Sequence, residues 1–323
     1  MLLHIIRQSV RVFSTATRGK TEELTKIPKF AYKIRSMRME DIPQVVEISR
    51  QNLFQYPASS LKFWIEQDPD GIKIAETESG EIIGSCSTVK NSENLYFGGM
   101  FTVQEKSRNS DVGRKLLSEC HAHAQGKNIG VNCDFTKIGT FKRRGIITFE
   151  SDWKSLEYET YTPVNAALLS DELPSGVELH EFQNSLLPAI FEYDYSLIGY
   201  ERRSTIEASC NDENSKTLVA MKDGTCVGFG SIKLNIVENG RIGPLYADDP
   251  IVAEAMMKRL ITIMPEAKGF AIVAVSSNIF ANLILEKLNI PVHCNIYRLY
   301  RREKVEVDTK KVFAHLDIDF TPF

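Results

Sequence analysis

The chain has 323 residues, and at roughly 100–200 residues per domain that length excludes a single small module and favours two domains or one large one. Apolar residues make up 43% and charged residues 25%, ordinary globular usage that excludes wholesale disorder, collagen-like repeats and coiled coils. With 39 basic against 42 acidic side chains the net charge is -3, so no whole-chain attraction draws nucleic acid and any anion site must be local.

From Met1 to Thr21 the chain carries Arg7, Arg11, Arg18 and Lys20 and no acid. On a helix, Arg7, Arg11 and Arg18 fall on one side and Leu2, Leu3, Ile6, Val10 and Phe13 on another. Ser9, Ser14, Thr15 and Thr17 complete the Arg-rich, Ser-rich, acid-free pattern of an organellar transit peptide, and Arg11-Val12-Phe13-Ser14 resembles a matrix-processing site. Residues 1–30 are therefore expected to be a mitochondrial transit peptide and linker, with the matrix as destination. The alternative is a basic tail on a cytoplasmic protein.

A strand is expected over 34–38, followed by a helix from Ile42 to about Gln51 and another over 59–67. Residues 72–77 and 81–89 alternate as strands around the turn Glu78-Ser79-Gly80, and 95–103 reads as a central strand. A helix over 112–124 buries Val112, Leu116, Leu117 and Cys120 at three- and four-residue spacing. Then come a strand over 129–135, a short helix over 136–144 ending at Gly145, and closing strands over 146–149 and 155–161.

Residues 163–176 carry Pro163 and Pro174 and read as a linker, after which the order repeats. Strands over 218–221 and 226–234 flank Lys222-Asp223-Gly224, and Gly224 to Gly228 copies the spacing of Gly80 to Gly84. A strand over 241–247, a helix over 250–264, a buried strand over 270–275, a helix over 279–288 and a strand over 296–302 complete the pattern. The expected fold class is α/β, with two duplicated domains, each a twisted mixed sheet flanked by helices, spanning 31–162 and 163–323.

The longest clean apolar run, Phe270–Val275, is far too short for the roughly 20 residues that cross a bilayer, so no membrane insertion is expected. Cys86, Cys120, Cys133, Cys210, Cys226 and Cys294 are scattered singly, with no spacing suited to a disulfide framework or a metal site.

The segment Phe101-Thr102-Val103-Gln104-Glu105-Lys106-Ser107-Arg108-Asn109-Ser110-Asp111-Val112-Gly113-Arg114-Lys115 joins the central strand to a helix. Amides at a helix N-terminus point outward unpaired, and together with the helix dipole they cradle a diphosphate. The segment resembles the acyl-CoA loop of the GNAT acetyltransferase superfamily, Arg/Gln-x-x-Gly-x-Gly/Ala, with Arg108, Val112 and Gly113 in register and Asp111 in place of the middle glycine. The strand and helix opening at Ile34 and the hairpin at Gly80 extend that likeness. The second half, through Arg241-Ile242-Gly243-Pro244-Leu245-Tyr246-Ala247-Asp248 and Asn278-Ile279-Phe280-Ala281, resembles the second domain of tandem members.

The resemblance implies an acyl-CoA-dependent N-acyltransferase that uses acetyl-CoA or another acyl-CoA as cosubstrate, needs no metal, and acts on a small amine or amino-acid-like acceptor. The CoA-binding residues it implies are Phe101, Val103, Arg108, Asn109, Ser110, Asp111, Val112, Gly113 and Arg114. Asp111 would partly repel phosphate unless its carboxylate turns to solvent or caps the helix. In the second half, Asp248-Asp249-Pro250 suits capping and opposes phosphate, so CoA is expected in the first half only.

In this superfamily a backbone N–H on the central strand holds the developing oxyanion, and the paired Gly98 and Gly99 before Met100 suit a bulge that exposes one. By analogy, Asp134, Glu76 and Tyr96 are the candidates for proton transfer. Many relatives protonate the leaving thiolate with a tyrosine where this chain has Phe141, and Leu285 in the second half. A catalytically degenerate tandem protein that binds acyl-CoA or a partner without turnover is thus the alternative.

Overall fold

The computed structural model describes residues 30–52, 54 and 56–323. The basic amphipathic segment discussed above lies outside the described residues.

In the first half, β1 (Tyr32–Ser36) leads to α1 (Ile42–Gln51) and α2 (Ala58–Gln67), then β2 (Ile72–Thr77), β3 (Ile82–Lys90) and β4 (Leu95–Val103). These are followed by α3 (Val112–His123), β5 (Asn128–Cys133), α4 (Ile138–Lys142), β6 (Thr148–Phe149) and β7 (Ser155–Thr160). Each forms where pattern and punctuation agree: Gly80 takes a left-handed φ of 81° in the β2–β3 turn, and Gly145 does the same after α4.

The second half runs β8 (Val177–Glu181), α5 (Leu187–Ile198), α6 (Arg203–Asn211), β9 (Ser215–Lys222), β10 (Thr225–Leu234) and β11 (Gly240–Ala247). It continues through α7 (Pro250–Thr262), β12 (Phe270–Val275), α8 (Ile279–Lys287), β13 (Val292–Tyr300) and β14 (Val312–Ala314). The repeat is therefore fuller than the sequence indicated: β8, α5 and α6 copy β1, α1 and α2, and Gly199 ends α5 at φ 82°.

All strands join one mixed sheet of order β1-β2-β3-β4-β5-β13-β7-β12-β11-β10-β9-β8, with β6 added to β13 and β14 to β11. The order shows an exchange. The strand expected over 155–161 does not close the first half: β7 pairs with β12, while β13 pairs with β5. Each half is completed by a strand of the other, and β7 and β13 pair at the seam.

Helices α3, α7 and α8 cover one face of this sheet, packing Leu116 and Cys120 in the first half and Met256, Leu260 and Leu285 in the second. Helices α1, α2, α5 and α6 cover the opposite face, with Val45, Leu61, Ile190 and Ile206 as buried anchors. Between those two helix pairs runs the segment 312–323. Its Leu316, Ile318, Phe320 and Phe323 are all buried, each contributing roughly 1.5–3 kcal/mol of apolar burial. The segment is thus an integral strap across the seam rather than a detachable flap.

Candidate functional site

Two equivalent crevices open in the sheet, one per half. Parallel pairing of β4 with β5 ends at Gly98 and Val131, and that of β11 with β12 ends at Ile242 and Ile272. Beyond these points the strands diverge. The register of each central strand then slips against its hairpin partner, between Ser85 and Ser87 in the first half and between Gly230 and Ile232 in the second.

The bulge expected at the paired glycines is present, and its key residue is Met100, buried with φ 46°. Its amide faces the Oδ1 of Asp319 at 3.4 Å, and Gly99 N–H donates to Ser87 Oγ at 3.1 Å. In the second half the residues after Ile242 are Gly243 and Pro244. Proline has no N–H, so this central strand offers no amide at the position corresponding to Met100.

The strap treats the two crevices differently. In the second, β14 pairs with β11 at Leu245 and Tyr246, and His315 N–H donates to Val273 O at 2.9 Å, so a strand fills the gap. In the first, no strand enters. Three side chains instead hold the strap's carbonyls: Asn132 Nδ2 to Ile318 at 2.8 Å, Ser87 Oγ to Asp319 at 3.2 Å and Asn91 Nδ2 to Phe320 at 2.9 Å.

The turns leading to α3 and α7 differ as well. Asp249 caps α7, accepting from Ile251 N–H at 2.8 Å, and Pro250 follows at the first helical position. At α3 the Asp111 side chain makes no cap. It accepts from the Tyr32 hydroxyl at 2.6 Å and pairs with Lys115 at 2.9 Å. Burial pushes the Asp111 carboxyl up, but those two partners outweigh it and hold it below the usual carboxylate range. The carboxylate thus turns neither to solvent nor onto the helix end but sideways, toward β1.

The amides of Asn109, Asp111, Gly113 and Arg114 meet no acceptor among the described residues; Val112 N–H meets Ser110 Oγ at 3.3 Å. Asn109 adopts φ 62°, and Ser110 Oγ donates to Ser107 O at 2.6 Å, which fixes the bend. Arg114 is exposed, whereas Arg108 is held back by Val103 O and Asn52 Oδ1. A Cβ on Gly113 would lie 3.0 Å from Phe101 Cζ, so the ring and Val103 form one wall beside a bare helix start. Unpaired amides, a helix dipole and a nearby guanidinium together make an exposed site suited to an anion.

None of the three proton-transfer candidates lies at the Met100 bulge. Glu76 is locked to Arg35 and Lys33 on β1, which hold its carboxyl down at about 2. Asp134 caps the short turn after β5, accepting from Thr136 N–H at 2.7 Å. Tyr96 stands at the opposite end of β4, edge-on to His123, with its phenol pushed up by burial and by Asp68. His123 pairs with Asp68 at 2.9 Å, tying α3 to the loop after α2. Phe141 is buried in the core of the first half, and Leu285 is buried in that of the second.

The carboxylate that does meet the bulge is Asp319, and behind it stands Asp317, which accepts from Asp319 N–H at 3.1 Å and from Ser60 Oγ at 3.0 Å. Sequence reasoning missed both, because 312–323 follows the last recognisable element. Pro244 was readable: it stands in the second copy where the first has Met100. Among the described residues no cluster of His, Cys, Asp and Glu suited to a metal is present, and no helix is long and apolar enough to cross a membrane.

Residues 190–314 match the family model described as an acetyltransferase (GNAT) domain, less than half of the chain. No curated protein matches. Among solved structures, a Pyrococcus horikoshii protein thought to be an acetyltransferase aligns with TM-score 0.69 and 19% identity, over 94% of this chain and 100% of that one. A GCN5-related N-acetyltransferase from Sphaerobacter thermophilus aligns at TM-score 0.57 and 13% identity, over 92% and 100%. A tandem GNAT protein from the clavulanic acid biosynthesis pathway aligns at 0.55 and 9%, over 85% and 100%.

Residues 190–314 are thus similar to a GNAT acetyltransferase domain, and the twisted mixed sheet flanked by helices is the fold of those structures. The sequence likeness quoted above rested mainly on the first half, whereas the family model falls on the second.

Proposed function

We propose that the protein transfers an acyl group, acetyl first among candidates, from acyl-CoA to the amine of a small acceptor, and that the first half, residues 31–162, holds the CoA. The observation that carries this reading is the uncapped β4–α3 turn, whose amides at Asn109, Asp111, Gly113 and Arg114 face no acceptor among the described residues. A diphosphate supplies the missing acceptors. Its pantetheine arm would then run along β4 toward the bulge, where the Met100 amide supplies the donor for the developing oxyanion. The second half, 163–323, acts in this reading as a closed copy that supplies β13 and the strap.

The buried phenyl ring of Phe141 favours a second reading, binding without turnover, since neither it nor Leu285 can protonate a leaving thiolate. Isothermal titration with acetyl-CoA, with CoA release measured over a panel of primary amines, separates the two. Binding with acceptor-dependent release supports transfer. Binding without release supports the second reading, and absence of binding removes both. The basic segment 1–30, free of acid through Thr21, supports import into the mitochondrial matrix; a fluorescent protein carrying it should enter mitochondria, and a diffuse cytoplasmic signal would refute that.

A further inference from the structure

The strap is built to deliver one carboxylate to the first crevice. From Val312 to Phe323 every residue is buried except Asp319. Its backbone is keyed in place, with Asn132, Ser87 and Asn91 each donating to one of three consecutive carbonyls. The fit leaves no slack: a Cβ on Gly99 would fall 2.2 Å from Asp319 O. Asp319 N–H donates to Asp317 Oδ1 at 3.1 Å, and Asp317 is itself held by Ser60, so the bend that presents the carboxylate is braced from α2. The carboxylate lies 3.4 Å from the amide of Met100, a long contact that an incoming carbonyl oxygen can replace.

The second crevice lacks both parts. Over Gly243 the strap presents the carbonyls of His315 and Leu316, and the neighbouring Pro244 has no amide. One crevice therefore combines an amide held only by a long contact with a partly exposed carboxylate, and it is the crevice whose helix start is uncapped.

We propose that Asp319 is a catalytic residue that takes the proton from the attacking amine at this crevice. The inference rests on the acyl-transfer reading above. The amine nitrogen bonds to the thioester carbonyl carbon, its proton passes to the Asp319 carboxylate, and the C–S bond then breaks with its electron pair leaving on sulfur. The thiolate takes a proton from solvent, which balances the step without Phe141.

The test compares the wild type with Asp319→Asn, using acetyl-CoA with the best primary amine of the panel and, separately, with hydroxylamine, which is unprotonated at neutral pH. The variant should bind acetyl-CoA by calorimetry within about twofold of wild type. It should lose ~10²–10⁴-fold in kcat with the primary amine and far less with hydroxylamine. Equal kcat values for variant and wild type with the primary amine would overturn the role of Asp319 and leave the acyl-transfer reading intact. Equal losses with both amines, alongside unchanged binding and an unchanged melting temperature, would also overturn it. If the wild type binds no acetyl-CoA, the acyl-transfer reading and the role of Asp319 fall together.

Discussion

The two crevices descend from one pattern and have diverged at three points. Ahead of the helix, the second turn is capped by Asp249 and begins with Pro250, while the first leaves its amides without acceptors among the described residues. At the bulge, the second strand carries Pro244 and the first Met100. In the gap, the second holds β14 and the first holds only strap carbonyls bound by side chains. Each difference closes the second crevice and leaves the first open to an anion and a carbonyl. The comparison shows how a duplicated half can keep its fold while differing in the amides and caps that would make a site.

The largest effect is expected where the strap meets Gly243. A Cβ there would fall 2.4 Å from His315 O and 2.8 Å from Leu316 O, both backbone atoms, so Gly243→Ala must displace the strap just after β14. Overpacking of this kind costs about 1–3 kcal/mol, read as a lower melting temperature without loss of acetyl-CoA affinity per folded molecule. An unchanged melting temperature would show that the second crevice is not sealed as described.

Next comes the first turn. Gly113→Glu sets a carboxylate among the unmatched amides and should weaken acetyl-CoA binding by about tenfold or more by calorimetry. Its counterpart in the second turn, Asp249→Ala, should cost ~1 kcal/mol as a lost cap and leave that affinity untouched. Reversal of this pair of results would move the anion site to the second half.

Acid should weaken both halves through buried histidines. Burial, with Arg301 and Arg144 nearby, holds His121 on α3 down at about 4, and burial beside Arg298 and Arg241 holds His315 in the strap well below the ordinary 6.5. The unfolded chain binds these protons first, so stability is complete above about 6.5 and falls as pH drops toward about 4. Thermal melts of His121→Gln and His315→Gln between pH 7 and 4 should show a shallower slope than the wild type, and an equal slope would assign the acid sensitivity elsewhere. Smallest is Asp111→Gly: since the carboxylate already turns toward Tyr32 and Lys115, its removal should tighten acetyl-CoA by only a few-fold.

Much of this was readable in the chain. Alternation and turn glycines gave β2 and β4 their observed bounds, three- and four-residue spacing gave α3 to within a residue, and the unbroken apolar run Phe270–Val275 is buried throughout as β12. Periodicity reports a local face, however, and carries no record of the distant strand beside it. That is why β7 and β13 were readable as strands while their exchange between halves was not.

The site divided the same way. The turn at 108–114 announced itself through Gly113 and its position after a strand, but the direction of Asp111 depended on Tyr32, 79 residues away. Asp319 reaches the Met100 amide across 219 residues in a stretch with no repeating pattern. Glu76 looked like a base because its position fitted, yet the pairing of β1 with β2 sets Lys33 directly opposite it and ties it up in ion pairs.

The most direct test is a crystal structure of the chain soaked with acetyl-CoA. The account predicts diphosphate density on the amides of Gly113 and Arg114, with the thioester oxygen directed at Met100 N–H. Density at the start of α7, near Val252, or an empty first turn at saturating acetyl-CoA, would contradict it.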